Sequence, residues 1–196
     1  MNKIKNKEMQ IGKAGEYLVC ADLCMMGLIA YPSEQGLPYD VIIDCEGKLL
    51  KCQVKTTLKP REIPQRNTKT MAYIFNIKRN GKNNKNRYSK DDVDVFALVS
   101  LDTMTVGYLT NKEMPDTINI RVDSLRGTYH DEKGYQDYLR VIEEYKTEKN
   151  QSQIARDTGI AVATVNKMVQ RNYKPYISKA RYFSDFKRQK EWFKCL

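Results

Sequence analysis

The stretch YDVIIDCEGKLLKCQVKTT, residues 39–57, decides the fold of this chain. Two runs rich in apolar residues flank Glu46-Gly47, and a two-residue connection that contains Gly predicts a β-hairpin. With that loop Asp40 lies opposite Gln53, although a three-residue loop would shift the pairing by one residue. Side chains alternate between the two faces of a strand. One face of the hairpin is therefore expected to be apolar, and the other to carry Asp40, Gln53 and Lys55.

A helix is predicted before the hairpin, over residues 8–28. Apolar residues recur there with spacings of three and four, at Ile11, Ala14, Leu18, Ala21, Met25 and Leu28. Glu16 borders this stripe and has two interpretations. It is a solvated carboxylate on the flank of the helix, or it lies beside a ligand or another backbone that Gly12 and Gly15 allow to come close.

The rest of the chain predicts a mixed α/β fold. Further strands are expected at residues 28–32, 71–78, 91–101, 106–110 and 118–122, and a second helix at 135–145. The apolar run at 91–101 is typical of a strand covered on both faces. The order of helix, several strands and helix indicates a mixed sheet with helices against it. A chain of 196 residues accommodates one main domain, here 1–145, and a small second region, 146–196.

Charge and composition indicate the class of partner and the compartment. The net charge is +10, and residues 146–196 hold 12 Lys and Arg against 4 Asp and Glu. This excess favours nucleic acid as a partner. Five cysteines without a C-x-x-C pair, with His130 as the single histidine, argue against a zinc site and exclude chemistry that needs two imidazoles. Without an apolar run of about 18 residues or a signal peptide, we expect a soluble cytoplasmic protein of a bacterial or phage-infected cell, with no membrane contact.

Residues 147–171 predict a small all-α helix-turn-helix region. Gly159 supplies the tight turn, Ser152 is a candidate cap of the first helix, and the second helix would enter the major groove of DNA. A helical hairpin that only packs against the main domain is the alternative. The candidate DNA-contacting residues of this region are Ser152, Ala163, Thr164, Asn166, Lys167, Gln170 and Arg171. The tail at 173–196 mixes aromatic and cationic residues, which either bind nucleic acid or form a docking helix.

The loop that follows Lys55 is basic and contains Lys59, Arg61 and Arg66. These side chains are candidate contacts to a substrate backbone, or else solvated surface. Hydrolysis of a phosphodiester needs a positioned water and a cation at the phosphate. Asp40 and the amide oxygen of Gln53 are hard ligands of the kind Mg²⁺ prefers, and Lys55 could orient or deprotonate a water. The alternative is a ladder of polar residues on a half-exposed hairpin.

Asp40, then Gln53-Val54-Lys55, preceded by Gly15-Glu16 on a helix, resembles the PD-(D/E)XK nuclease superfamily, which has the restriction-endonuclease fold. The resemblance covers roughly residues 8–125 and is strongest to the bacterial group I intron homing endonucleases, in which Gln replaces the usual second acidic residue. It implies that Glu16, Asp40 and Gln53 surround a metal ion, Mg²⁺ with Mn²⁺ as a substitute, and that Lys55 is the catalytic lysine.

The expected function is therefore a Mg²⁺-dependent, site-specific endonuclease of double-stranded DNA. Cutting two strands with one active site per chain implies a homodimer or a homotetramer. A Holliday-junction resolvase or repair nuclease of the same fold, and a DNA-binding regulator without catalysis, are the alternatives.

Overall fold

The computed structural model describes residues 7–63, 69–77, 88–89 and 91–196. Contacts divide the chain into two compact units: unit 1 contains residues 1–123 and 181–196, and unit 2 contains residues 124–180. The helices and strands of unit 1 are α1 (Lys7–Met25), β1 (Ile29–Pro32), β2 (Val41–Cys45), β3 (Lys48–Thr57), β4 (Arg61–Glu62), β5 (Met71–Asn76), β6 (Val95–Ser100), β7 (Thr105–Thr110), β8 (Thr117–Arg121), and, after unit 2, β9 (Arg181–Tyr182) and α5 (Lys190–Lys194). Unit 2 contains α2 (His130–Tyr145), α3 (Gln151–Thr158) and α4 (Val162–Val169).

The hairpin of β2 and β3 has the predicted register. Cys45 pairs with Lys48 and Val41 with Cys52, and the ladder continues to Asp40, whose N–H donates to the Cys52 carbonyl at 2.9 Å. Glu46 and Gly47 form the two-residue loop with φ of 57° and 92°. Two positive φ angles characterise the tight turn whose twist matches that of the flanking strands.

The strands form two sheets, one more than the sequence predicts. The first has the order β1-β2-β3-β6-β7, with β3 and β6 parallel, and the second has the order β4-β5-β8-β9. Side chains of β6 and β7 pack against β5 and β8, and the buried residues between the sheets include Phe96, Leu98, Tyr73 and Ile120. All six residues of β6 are buried, which confirms the strand covered on both faces. The mixed sheets flanked by helices give the predicted restriction-endonuclease-like α/β fold.

α1 is present as predicted, but its expected apolar stripe is only partly confirmed, since Leu18 and Leu28 do pack in the core. The buried residues are Gly15, Val19 and Leu23, whereas Met25 is 80% exposed. The helix presents a small residue to the sheet, because a Cβ at position 15 would overlap the side chain of Thr56 in β3. The spacing of large apolar residues in the sequence gives no information on a contact made by a glycine. After the helix Gly27 adopts a left-handed φ of 79°, a conformation that commonly terminates helices and favours glycine.

The C-terminal tail belongs to the core of unit 1 from residue 181 onward. Phe183 packs edge-on against Tyr73 with ring centroids 5.3 Å apart, and Phe193 packs against Tyr108 at 5.1 Å. Both phenylalanines are at most 1% exposed. For this part of the tail the structure selects packing over nucleic-acid binding. The compact units therefore do not coincide with the ranges 1–145 and 146–196.

Unit 2 is a bundle of three helices around four buried side chains, Val141, Ile154, Val165 and Met168. The helix predicted at 135–145 is α2, which groups with α3 and α4 and starts at His130, earlier than predicted. α3 is capped by Asn150, whose side chain accepts from the Gln153 N–H at 3.0 Å. Ser152 is therefore not the cap, since Asn is an equally good acceptor and stands two residues earlier. Gly159 ends α3 with a φ of 71°, as predicted.

The cysteines are all free thiols, with Cys45 and Cys52 in the core of unit 1. Burial raises the pKa of the Cys52 thiol, so this group is a packing residue and not a nucleophile. Within the described ranges, no helix has both the length and the apolar character needed to cross a membrane.

Candidate active site

Asp40 immediately precedes β2 and is fixed there by groups of the neighbouring strand β3. Its Oδ2 accepts a hydrogen bond from the Val54 N–H at 2.9 Å and a second one from the side-chain amide of Gln53. Gln53 is only 7% exposed. The predicted pairing of Asp40 with Gln53 is therefore a direct contact, and both donors come from β3.

The electrostatics of Asp40 connect it to two further charged residues. Desolvation raises the pKa of the carboxyl, the hydrogen bond from Val54 lowers it, the negative charge of Glu16 raises it and the positive charge of Lys55 lowers it. The net effect is a raised pKa. A partly desolvated carboxylate beside another carboxylate is a position where a bound cation is stabilised.

Glu16 reaches this region from α1. Its side chain is 17% exposed and forms an ion pair of 2.6 Å with Lys13, one helical turn earlier. The contact of Gly15 with Thr56 holds this part of the helix against β3, so Gly15 has the close approach that the sequence suggested, whereas nothing lies within 4 Å of a Cβ at Gly12. Lys13 was not predicted, although its i,i+3 spacing from Glu16 is a readable signal.

Lys55 extends from β3 to a residue that the sequence analysis did not single out. Its Nζ donates to the Tyr88 hydroxyl at 3.1 Å. Tyr88 is separated from Lys55 by 32 residues of chain that contain a basic loop and a long polar connection, so no spacing pattern could have revealed the pair.

Comparison with known proteins identifies the family. The family model of the PD-(D/E)XK endonucleases matches residues 6–128, which is more than half of the chain. The chain belongs to the PD-(D/E)XK endonuclease family. It is thus an endonuclease, and a nuclease of this kind binds DNA. No curated protein matches the sequence.

One solved structure with similarity to this endonuclease is that of a bacterial homing endonuclease, I-Ssp6803I. The two chains share 18% sequence identity, the match covers 59% of this chain and 75% of the other, and the TM-score is 0.43.

Nucleases of this family generally use divalent metal ions. In the described portion of the chain, no group of three or more His, Cys, Asp or Glu could hold a metal ion. Asp40 and Glu16 are two carboxylates, and the Gln53 amide retains its oxygen because its nitrogen donates to Asp40. Mg²⁺ uses few protein ligands and completes its coordination with waters and phosphate oxygens. A set of two carboxylates and one neutral amide oxygen therefore fits this ion.

The candidate DNA-contacting residues lie in different parts of the endonuclease. In unit 1, Lys59 follows β3 and Arg61 begins β4, and both are exposed. Arg66 lies outside the described residues. In unit 2 the exposed candidates of α3, α4 and the residues after them are Ser152, Ala163, Thr164, Asn166, Lys167, Gln170 and Arg171. On α4 itself Val162 is 47% exposed, whereas Met168 is buried.

Proposed function

We propose that this endonuclease depends on Mg²⁺ and hydrolyses phosphodiester bonds at specific sites in double-stranded DNA, as a homing endonuclease does. The observation that carries the proposal is the fixed Asp40 carboxylate, which contacts Gln53 and interacts with the charges of Glu16 and Lys55. In a solvated ladder of polar residues, Gln53 would not be only 7% exposed and the Asp40 carboxylate would not be held by a backbone N–H.

Each residue of this proposed site has a separate role. Asp40, the Gln53 amide oxygen and Glu16 would hold Mg²⁺, which when bound supplies positive charge at the scissile phosphate and lowers the pKa of a coordinated water. The Val54 N–H and the Gln53 amide keep the Asp40 carboxylate oriented before DNA arrives. Lys55 would orient the attacking water and offset the charge that develops on the phosphate.

The α4 face would provide the contacts that select a duplex site. It exposes small and polar side chains from a short helix that follows a tight turn, which is the arrangement of a recognition helix. If the proposed site of one chain cuts one strand, cleavage of both strands would require a homodimer or a homotetramer.

The decisive experiment measures nicking of supercoiled plasmid in Mg²⁺ by Asp40→Asn and Lys55→Ala. We expect each substitution to reduce the rate by about a hundredfold or more, which is typical for loss of a catalytic group. Gel-shift affinity in Ca²⁺ should stay close to that of the unmodified protein. Matched controls are Asp44→Asn in β2 and Lys48→Ala in β3, which change the same residue types in the same strands outside the proposed site.

The same assay separates the alternatives. If Asp40→Asn and Lys55→Ala cut as fast as the controls, the site assignment is wrong. If the unmodified protein binds duplex DNA but does not cut it in Mg²⁺ or Mn²⁺, the function is that of a regulator. Preferential cleavage of a four-way junction over the linear duplex of the same sequence would indicate a resolvase.

A further inference from the structure

The two lysines near the proposed site, Lys55 and Lys13, have chemically different hydrogen-bond partners. Lys55 Nζ donates to the phenol oxygen at 3.1 Å, whereas Lys13 Nζ is paired with the Glu16 carboxylate at 2.6 Å. A carboxylate largely neutralises an ammonium group. A phenol is a neutral acceptor, so it fixes the position of Lys55 and leaves its charge available to a phosphate.

Tyr88 is itself anchored on both its ring and its backbone. The ring packs edge-on against Phe96 in β6, with centroids 5.5 Å apart and an interplanar angle of 78°, and Phe96 pairs with Gln53 in the sheet. The side-chain amide of Asn111 donates to the carbonyls of Tyr88, Ser89 and Val93 at 3.4, 2.8 and 3.1 Å. The hydroxyl is therefore held at a defined place relative to β3.

We propose that Tyr88 is a positioning residue that holds the Lys55 ammonium toward Asp40 and the scissile phosphate. The inference rests on the proposed function for its catalytic consequence, but the contact that it assigns is independent of that function. Phe96 and Asn111 act through Tyr88, since they fix its ring and its backbone. The contact restricts the rotation of a long flexible side chain, and this ordering is completed before substrate binds.

The kinetic test uses Tyr88→Phe, which keeps the ring on Phe96 and removes only the hydroxyl. We expect kcat for plasmid nicking to fall about tenfold to a hundredfold, the range for loss of a hydrogen bond to a charged group. KM and the melting temperature should remain unchanged. Tyr145→Phe, which removes an exposed hydroxyl in α2, is the matched control. A Tyr88→Phe protein with the kcat of this control would overturn the proposal.

A second measurement reports on the contact without any cleavage. Limited acetylation of the full chain, followed by mass spectrometry, compares the modification rate of Lys55 with that of the exposed Lys48. We expect Tyr88→Phe to raise the rate at Lys55 several-fold and leave Lys48 unchanged, because the released amine is more accessible. The ring of residue 88, whose centroid lies 5.2 Å from Lys55 Nζ, is retained in this variant, so an unchanged ratio would show that the Tyr88 hydroxyl does not hold Lys55 and would overturn the proposal. Failure of the proposed function is distinguished by cleavage alone: either the unmodified protein does not cut, or Lys55→Ala cuts normally, whatever the acetylation result.

Discussion

The ionised carboxylate of Asp40 destabilises the folded protein at neutral pH, because its surroundings favour the protonated form. The carboxyl is partly desolvated and lies near Glu16, and both effects raise its pKa, against the opposing hydrogen bond from Val54 and the charge of Lys55. A carboxyl with a raised pKa in the folded state favours folding when it is protonated. That contribution is present below the unfolded-state pKa of about 3.9 and is lost as the pH rises through the folded-state value.

We therefore predict that Asp40→Asn is more stable than the unmodified protein at pH 7 in EDTA. The difference in melting temperature should shrink as the pH falls, because a growing fraction of the Asp40 carboxyl, with its raised pKa, is then neutral in the folded protein as well. Mg²⁺ should reverse the order: at a hundred times its Kd, a ligand stabilises the folded state by about 2.7 kcal/mol, and only the protein with the carboxylate gains this. Thermal melts of both proteins and of the control Asp44→Asn, with and without Mg²⁺, provide the measurement. A destabilised Asp40→Asn in EDTA would contradict the prediction.

The contacts of the proposed site differ in how well the sequence predicts them. The sequence places Asp40, Gln53 and Lys55 on one face of the hairpin, because a two-residue loop fixes the register of its strands. The structure confirms that register. Tyr88 could not be found in this way, because its contact with Lys55 depends on the packing of Phe96 and on Asn111. Local periodicity carries information on neighbours within a hairpin or helix, and none on contacts made across the sheets.

At the scale of an element, α1 is positioned by the absence of a side chain. Gly15 lies against Thr56, whose Cβ is 2.9 Å from the place a Cβ at residue 15 would occupy. Thr56 Oγ1 is buried and, within the described structure, has no hydrogen-bond partner. The tight approach of helix and strand places Glu16 where its charge raises the pKa of Asp40. The spacing of large apolar residues cannot reveal a buried glycine, so the sequence predicted the buried face of α1 only in part.

Two alanine substitutions in α1 should therefore change stability in opposite directions. Gly12→Ala should raise the free energy of unfolding by about 0.5–1 kcal/mol, since Ala is the better helix former and nothing lies within 4 Å of the added Cβ. Gly15→Ala should lower it by about 1–3 kcal/mol, the usual cost of overpacking. Denaturant unfolding measures both, and Thr56→Ala in the Gly15→Ala background should recover part of the loss. Equal effects of the two glycine substitutions would contradict the close packing.

At the scale of the whole molecule, the basic C-terminal quarter of the chain is divided between the two compact units. Residues 146–180 hold 7 Lys and Arg against 2 Asp and Glu and lie in unit 2, where α4 exposes Lys167. Residues 181–196 return to unit 1 and bury Phe183 and Phe193 in its core. The sequence predicted the charge but not this division, because aromatic residues interleaved with cations look the same whether they stack on bases or fill a core. Truncation at residue 146 would thus remove core side chains and would not test DNA binding.

The test of DNA binding by unit 2 is the double substitution Lys167→Gln and Arg171→Gln, both exposed. If each cation contacts a phosphate, the slope of log K against log salt concentration should become shallower by about 1.8, because each lost phosphate contact releases about 0.9 fewer counterions. Binding to the target duplex in Ca²⁺ across a salt series measures this slope. The matched control, Lys133→Gln with Lys146→Gln, removes the same charge from exposed positions of unit 2 and should leave the slope nearly unchanged. An equal change in both pairs would indicate a general effect of net charge, and an unchanged slope in the first pair would exclude the α4 side of unit 2 from the DNA interface.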